Sequence, residues 1–179
     1  MMTTPILANT PLQDEAIRAL HAAHDEPNGT IYEHGGMILM NNGTMRYVEP
    51  HPDNDQPASV FVMDHRLLLQ GDMLVATYHT HPCIHGYFHA YFSPPDLWVQ
   101  IISGVPEFIL DECSGNVQEF FYKYVDKVFE TGIDIEYHND KCELQKGHLP
   151  LGRIVGNIGI SEPEHTIDDS AVRDRCKSK

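Results

Sequence analysis

Tyr78-His79-Thr80-His81-Pro82, followed by Ser93-Pro94-Pro95-Asp96, is the stretch whose residue types ask for chemistry rather than packing. Met73 to Tyr78 is dominated by apolar and β-branched residues and reads as a buried strand, so His79 and His81 fall at its end and, at period 2, on one face. Two imidazoles side by side can each give a neutral nitrogen to zinc at about 2.0–2.1 Å, and a carboxylate oxygen at about 2.0–2.2 Å completes a three-ligand set. Asp96 is the nearest candidate for that carboxylate.

The elements that must position these groups follow from the punctuation around them. Pro82 cannot donate to a strand ladder and ends the strand. Ser93 is a good N-cap, Pro94 suits the first helical position, and Asp96 stands three residues after the cap, where the positive end of the helix dipole favours a carboxylate. Asp96 can therefore point back toward the strand end that carries the histidines. Three protein ligands would leave the fourth position of a catalytic zinc to water. Taken alone, Ser-Pro-Pro-Asp is a capped helix and His-x-His is a pair of core histidines; their succession in one chain is what points to a metal.

These residues resemble the JAB/MPN (JAMM) metalloprotease family, whose pattern is an early Glu, then His-x-His, then Ser-x-x-Asp, and which includes deubiquitinating isopeptidases and bacterial relatives. His79, His81, Ser93 and Asp96 match by type and order, and Glu33 in Tyr32-Glu33-His34-Gly35-Gly36 is the best match for the early Glu. The eleven residues 82–92 between the second histidine and Ser93 exceed the family's usual spacing, which implies an inserted loop. The resemblance implies zinc held by His79, His81 and Asp96, Glu33 as general base and Ser93 as oxyanion donor. It also implies a protein or peptide substrate, with a ubiquitin-like conjugate among the candidates, and it is similar as well to JAB-like domains attached to bacterial toxins. The second reading, from another class, is a non-catalytic, metal-stabilised MPN-like binding or scaffold module, in which a fourth ligand such as Cys83 or His85 closes the site.

Composition bounds the rest. A chain of 179 residues with 41% hydrophobic content suits one domain with a full core, expected over residues 1–160, with a polar, mobile tail at 161–179. Lys plus Arg number 12 against 26 Asp plus Glu, a formal charge of −14, which argues against nucleic acid and anionic membranes as partners. Met1 to Pro5 lacks the basic and apolar regions of a signal peptide, and no apolar run approaches the roughly 20 residues of a membrane span. Cys83, Cys113, Cys142 and Cys176 form no Cys-x-x-Cys pair, which suits a reducing, cytoplasmic setting; a secreted effector without a cleaved signal would look the same.

Along the chain, Thr10-Pro11-Leu12-Gln13 opens a helix whose Leu12, Ala16, Leu20 and Ala23 share a face, ending near Asp25 to Gly29. Thr30–Glu33 and Gly36–Met40 read as extended, and Asn41-Asn42-Gly43 before Thr44–Val48 is a hairpin signal. Ser59–Met63 resumes a strand, and Asp64–Asp72 holds a turn. Residues 83–92 form an aromatic and histidine-rich flap beside the proposed metal, open to reading as a second metal site, a Cys83-inhibited zinc or a substrate flap. Pro94–Ser103 is a helix, Glu107–Asp111 and Val117–Tyr122 a further hairpin, Tyr124–Phe129 a short helix, and Leu149–Ile160 an edge strand or packing arm. The alternation of strands with two helices predicts an α+β (α/β-like) single domain, for which the resemblance implies an MPN/JAB-type mixed, curved sheet flanked by helices.

Overall fold

The computed structural model describes residues 8–27, 29–50, 63–85, 88–121, 132–139, 141–165 and 176. The elements run α1 (Pro11–His24), β1 (Gly35–Asn41), β2 (Thr44–Val48), a 3-10 turn (His65–Leu67), β3 (Met73–His81), α2 (Pro94–Ser103), β4 (Glu107–Asp111), β5 (Asn116–Phe120), β6 (Gly132–His138), β7 (Leu144–Pro150) and β8 (Arg153–Asn157). Among the described residues, six strands form one mixed sheet in the order β2-β1-β3-β4-β5-β8, while β6 and β7 pair as a separate hairpin. The fold class is α+β.

Helix α1 begins where the sequence places it. The Thr10 hydroxyl accepts from the Gln13 N–H, and the Gln13 side chain accepts from the Thr10 N–H, closing a reciprocal cap. Ala16, Ala19, Leu20 and Ala23 recur at helical spacing and are fully buried. Their small side chains let α1 lie close on one sheet face, against Ile38, Ala76, Tyr78, Phe108, Leu110 and Val117. Because strand side chains alternate, His79, His81, Glu107 and Ile109 belong to the opposite face. That face carries the second cluster, Phe92, Ile109 and Phe120, with Leu97 of α2 packed against it.

The pairing of β3 decides where the chemistry sits. Strand β1 runs antiparallel to it with Gly35 opposite His79, and β4 runs parallel with His79 opposite Ile109 and His81 opposite Asp111. A parallel pair needs a crossover, and α2 supplies it, so the N-terminus of α2 follows the carboxyl end of β3 after one loop. The Asn42-Gly43 turn joins β1 to β2 with positive φ at both residues (49° and 78°), as the hairpin signal predicts.

Several expectations are corrected. Residues 30–33 are turn and irregular chain, not strand; β1 starts at Gly35, two residues after Glu33, with His79 as its partner in β3. The apolar run from Leu149 is split: Leu149 and Pro150 end β7, whereas β8 forms the edge strand on β5. The hairpin β6–β7 is unforeseen, although Ile133, Ile135 and Tyr137 alternate with Asp134 and Glu136. Most of the 59–63 strand and the 124–129 helix lie outside the described residues, as do 166–175 of the expected tail. The first residues of that tail, by contrast, return to the flap, where His165 pairs with Ile84 in an isolated parallel bridge.

The cysteines are not separate thiols. Cys83 bonds to Cys113 and Cys142 to Cys176, with Cα separations of 4.9 and 5.4 Å that suit disulfides. The first pair follows from register: His81 faces Asp111, and each cysteine lies two residues further on. No spacing rule along one chain could have revealed this. Two disulfides point to an oxidising setting rather than the reducing one read from the scattered cysteines. Among the described residues, no helix is long and apolar enough to cross a membrane.

Two predictions follow from the packing. Leu20→Ala empties the α1–sheet contact and should cost about 2–5 kcal/mol in chemical denaturation. Burial pushes the Glu49 carboxyl up to about 7, with the Glu26 charge adding to it, and burial likewise pushes Glu112 up to about 7 against the partial offset of His24. Both folded pKa values lie above the ordinary 4.5, so the folded state holds extra protons in that window and stability falls as pH rises from 4.5 toward 7. Calorimetry should therefore give a lower Tm at about pH 8 than at about pH 5, and Glu49→Gln should flatten part of that slope.

Candidate metal centre

Strand β3 and helix α2 bring His79, His81 and Asp96 together, as their spacing predicts. All three are buried, with relative exposures of 3%, 1% and 9%. His79 Nε2 lies 2.9 Å from His81 Nε2 and 3.1 Å from Asp96 Oδ1, and His81 Nε2 lies 3.3 Å from Asp96 Oδ2. A tetrahedral ion with bonds of about 2.0–2.1 Å has ligand-to-ligand edges of about 3.3 Å, so the triangle is close to that size. The three residues form a buried group that could hold a metal ion.

The far side of the His81 ring is held in the manner of a metal-ligating imidazole. His81 Nδ1 donates to the carbonyl of His89 at 2.9 Å, which leaves the Nε2 lone pair for the centre. His79 Nδ1 lies 3.2 Å from Glu107 Oε1, within ion-pair reach though not aligned as a hydrogen bond. Glu107 is fully buried, and its β4 position faces Thr77, two residues before His79. The sequence signal for it was a carboxylate inside the otherwise apolar run Glu107-Phe108-Ile109-Leu110. It was missed because its role depends on the parallel register.

Asp96 is positioned by the helix cap. The Ser93 N–H donates to Asp96 Oδ2 at 2.6 Å, and the Asp96 N–H donates to Ser93 Oγ at 3.4 Å. One oxygen thus takes both the cap bond and a place beside His81. Burial alone would raise the Asp96 pKa, but His79 and His81 hold the carboxyl well below the usual carboxylate range. Burial opposes charge on His79, yet Asp96 and Glu107 raise its pKa well above the ordinary histidine value. Burial pushes Glu107 up to about 7, partly offset by His79. The cluster therefore attracts positive charge, whether proton or metal.

Gly35 lets β1 approach this centre. A Cβ there would stand 2.3 Å from the Tyr78 carbonyl oxygen and 2.5 Å from His79 Cβ. Beyond it, the Thr80 N–H donates to the His34 carbonyl at 2.8 Å and the His34 N–H to Thr80 Oγ1 at 3.0 Å. Glu33 lies two residues before the start of β1 and is buried at 6% exposure.

The flap contributes differently from the reading of its residue types. Cys83 is bonded to Cys113, so it is neither thiolate ligand nor nucleophile. The exposed His85 faces Glu164 at 3.1 Å. His89 Nδ1 lies 2.8 Å from Asp111, which fixes the residue whose carbonyl receives His81. His89, Cys113 and Glu164 also cluster, but the disulfide removes the thiolate from that group. A cavity of about 120 Å³ adjoins the centre on the side of His81 and Ser93.

No known protein family, curated protein or solved structure matches this chain. The site stands on its own geometry.

Metal binding should be visible as stability. Zinc at a hundredfold excess over its dissociation constant should raise the unfolding free energy by about 2.7 kcal/mol, and His81→Ala should abolish that gain in denaturation followed with and without chelator.

Proposed function

We propose that the chain is a zinc-dependent hydrolase of peptide or isopeptide bonds, of the JAB/MPN (JAMM) kind that its motif resembles. The observation that carries this reading is the buried triangle of His79 Nε2, His81 Nε2 and Asp96, backed by Glu107 and the His89 carbonyl and bordered by a cavity. Two imidazoles and one carboxylate suit zinc among the common divalent ions, and three protein ligands match a catalytic rather than a structural site. When bound, zinc supplies Lewis acidity that lowers the pKa of water toward about 7 and polarises a substrate carbonyl.

The chain's own groups supply the rest. Glu33 accepts the proton of the attacking water and returns it to the leaving amine, a double task suited to a buried carboxylate. The oxygen of Ser93 accepts from the Asp96 N–H, so its O–H can donate to the oxyanion that develops on the attacked carbonyl. Asp96 and Glu107 keep the imidazoles in place, the first at their Nε2 atoms and the second behind His79.

An open site rather than a closed one is supported by the state of the two candidate fourth ligands. Cys83 is consumed by its disulfide and His85 faces Glu164. The binding-module reading is thereby left without Cys83 as a fourth ligand. The two disulfides favour the secreted alternative over the cytoplasm, and the charge of −14 suits a basic protein or peptide substrate.

The deciding experiment combines metal analysis with cleavage of peptide and isopeptide-linked substrates. His79→Ala should lose zinc and hydrolysis together. Glu33→Gln should retain zinc while kcat falls about 10²–10⁴-fold. Hydrolysis by metal-free His79→Ala protein, or a zinc-loaded wild type that cleaves nothing, would overturn the reading.

A further inference from the structure

The cavity beside the metal centre is built from three separate parts of the chain. His81 and Ser93 form its inner wall, Phe88 and Tyr91 come from the flap, and Ile135 and Leu149 come from the β6–β7 hairpin. The hairpin has no place in the six-stranded sheet. Its position is nevertheless fixed at the site: the Phe92 N–H donates to the Pro150 carbonyl at 3.1 Å, and the Gly152 N–H donates to Gln118 Oε1 at 2.9 Å. Gln118 in turn donates to the Ala90 carbonyl at 2.8 Å, tying flap and hairpin through one buried amide. Ile133, Ile135 and Leu149 share one face of the hairpin by register, and Leu149 is buried at 4% exposure.

The size of the cavity limits its occupant. At about 120 Å³ it is below the roughly 300 Å³ at which whole-ligand pockets begin. An apolar cavity of about 150 Å³ takes a benzene ring, so this one suits a single branched aliphatic or small aromatic side chain. Its lining offers hydrocarbon on four of the six residues named above, and its polar members, His81 and Ser93, belong to the site already described.

We infer that this cavity is a specificity subsite for one apolar side chain of a peptide substrate, of leucine or valine type, next to the bond being cleaved. The inference rests on the hydrolase reading and deepens it. A glycine-terminated conjugate would leave the cavity empty, whereas a peptide with a branched residue at that position buries its side chain against Ile135 and Leu149 while its carbonyl faces the metal ligands. The hairpin is then the element that sets substrate choice, and Phe88 of the flap, 48% exposed, adds an apolar wall on the other side of the cavity.

Amino-acid hydroxamates test this without requiring turnover, because the hydroxamate chelates a metal and the side chain probes the cavity. Zinc-loaded full-length protein is titrated with glycine, leucine and phenylalanine hydroxamates by calorimetry, alongside Ile135→Trp and Ile135→Ala. Leucine hydroxamate should bind the wild type about tenfold or more tightly than glycine hydroxamate. Ile135→Trp fills the cavity and should bring that ratio toward one; Ile135→Ala enlarges it and should shift the preference toward phenylalanine. Equal binding of the leucine and glycine compounds by the wild type, or a ratio intact in both Ile135 variants, overturns the subsite while leaving the hydrolase standing. If zinc does not load, or no hydroxamate binds the loaded protein, the metal-centred reading fails and the subsite falls with it.

Discussion

Two imidazole nitrogens 2.9 Å apart, each facing the same buried carboxylate, cannot both present lone pairs to one another without a positive charge between them. Burial sharpens that demand, since desolvating even one carboxylate costs several kcal/mol unless its partners replace the lost water. The protein meets it by surrounding the triangle with fixed acceptors and donors. The His89 carbonyl and Glu107 stand behind the rings, and the Ser93 N–H holds the carboxylate. Such a site could hold a cation, and the neighbouring backbone keeps it in shape.

The arrangement depends on how β3 is flanked. With β1 antiparallel on one side and β4 parallel on the other, β3 is an interior strand and its histidines cannot fray. The parallel partner also forces a crossover, and a crossover helix begins near the carboxyl end of the strand it follows. That topology brings Asp96 to the histidines and creates the kind of crevice in which open sheets hold ligands. Gly35 contributes by omission, since any side chain there would collide with β3.

The flap and its disulfide form a second layer. Cys83–Cys113 links the residues just past β3 to the turn after β4, and Asp111, just before that turn, holds His89. A covalent bond in the loop therefore stiffens the residue whose carbonyl orients His81. The return of His165 to Ile84 adds a further strap outside the same loop, with Cys83 and His85 both bonded to the backbone of that residue.

The sequence by itself determined the local pieces: the capped helix from Pro11, the Asn42-Gly43 hairpin, the histidine-bearing strand end and the Ser93–Asp96 cap. Each of these is encoded within a few residues, by turn conformation, capping chemistry or side-chain period, so neighbours suffice to read it. The triangle of His79, His81 and Asp96 was legible for the same reason, as two short motifs whose elements point at each other. Only the tertiary structure decided the rest. Glu107 became a partner of His79 through the parallel β3–β4 register, Cys83 met Cys113 because that register aligns residues thirty apart, and Ile135 reached the cavity through a hairpin docked on the flap. Register and docking are set by the summed packing of distant segments, and no window along the chain contains both halves of such a contact.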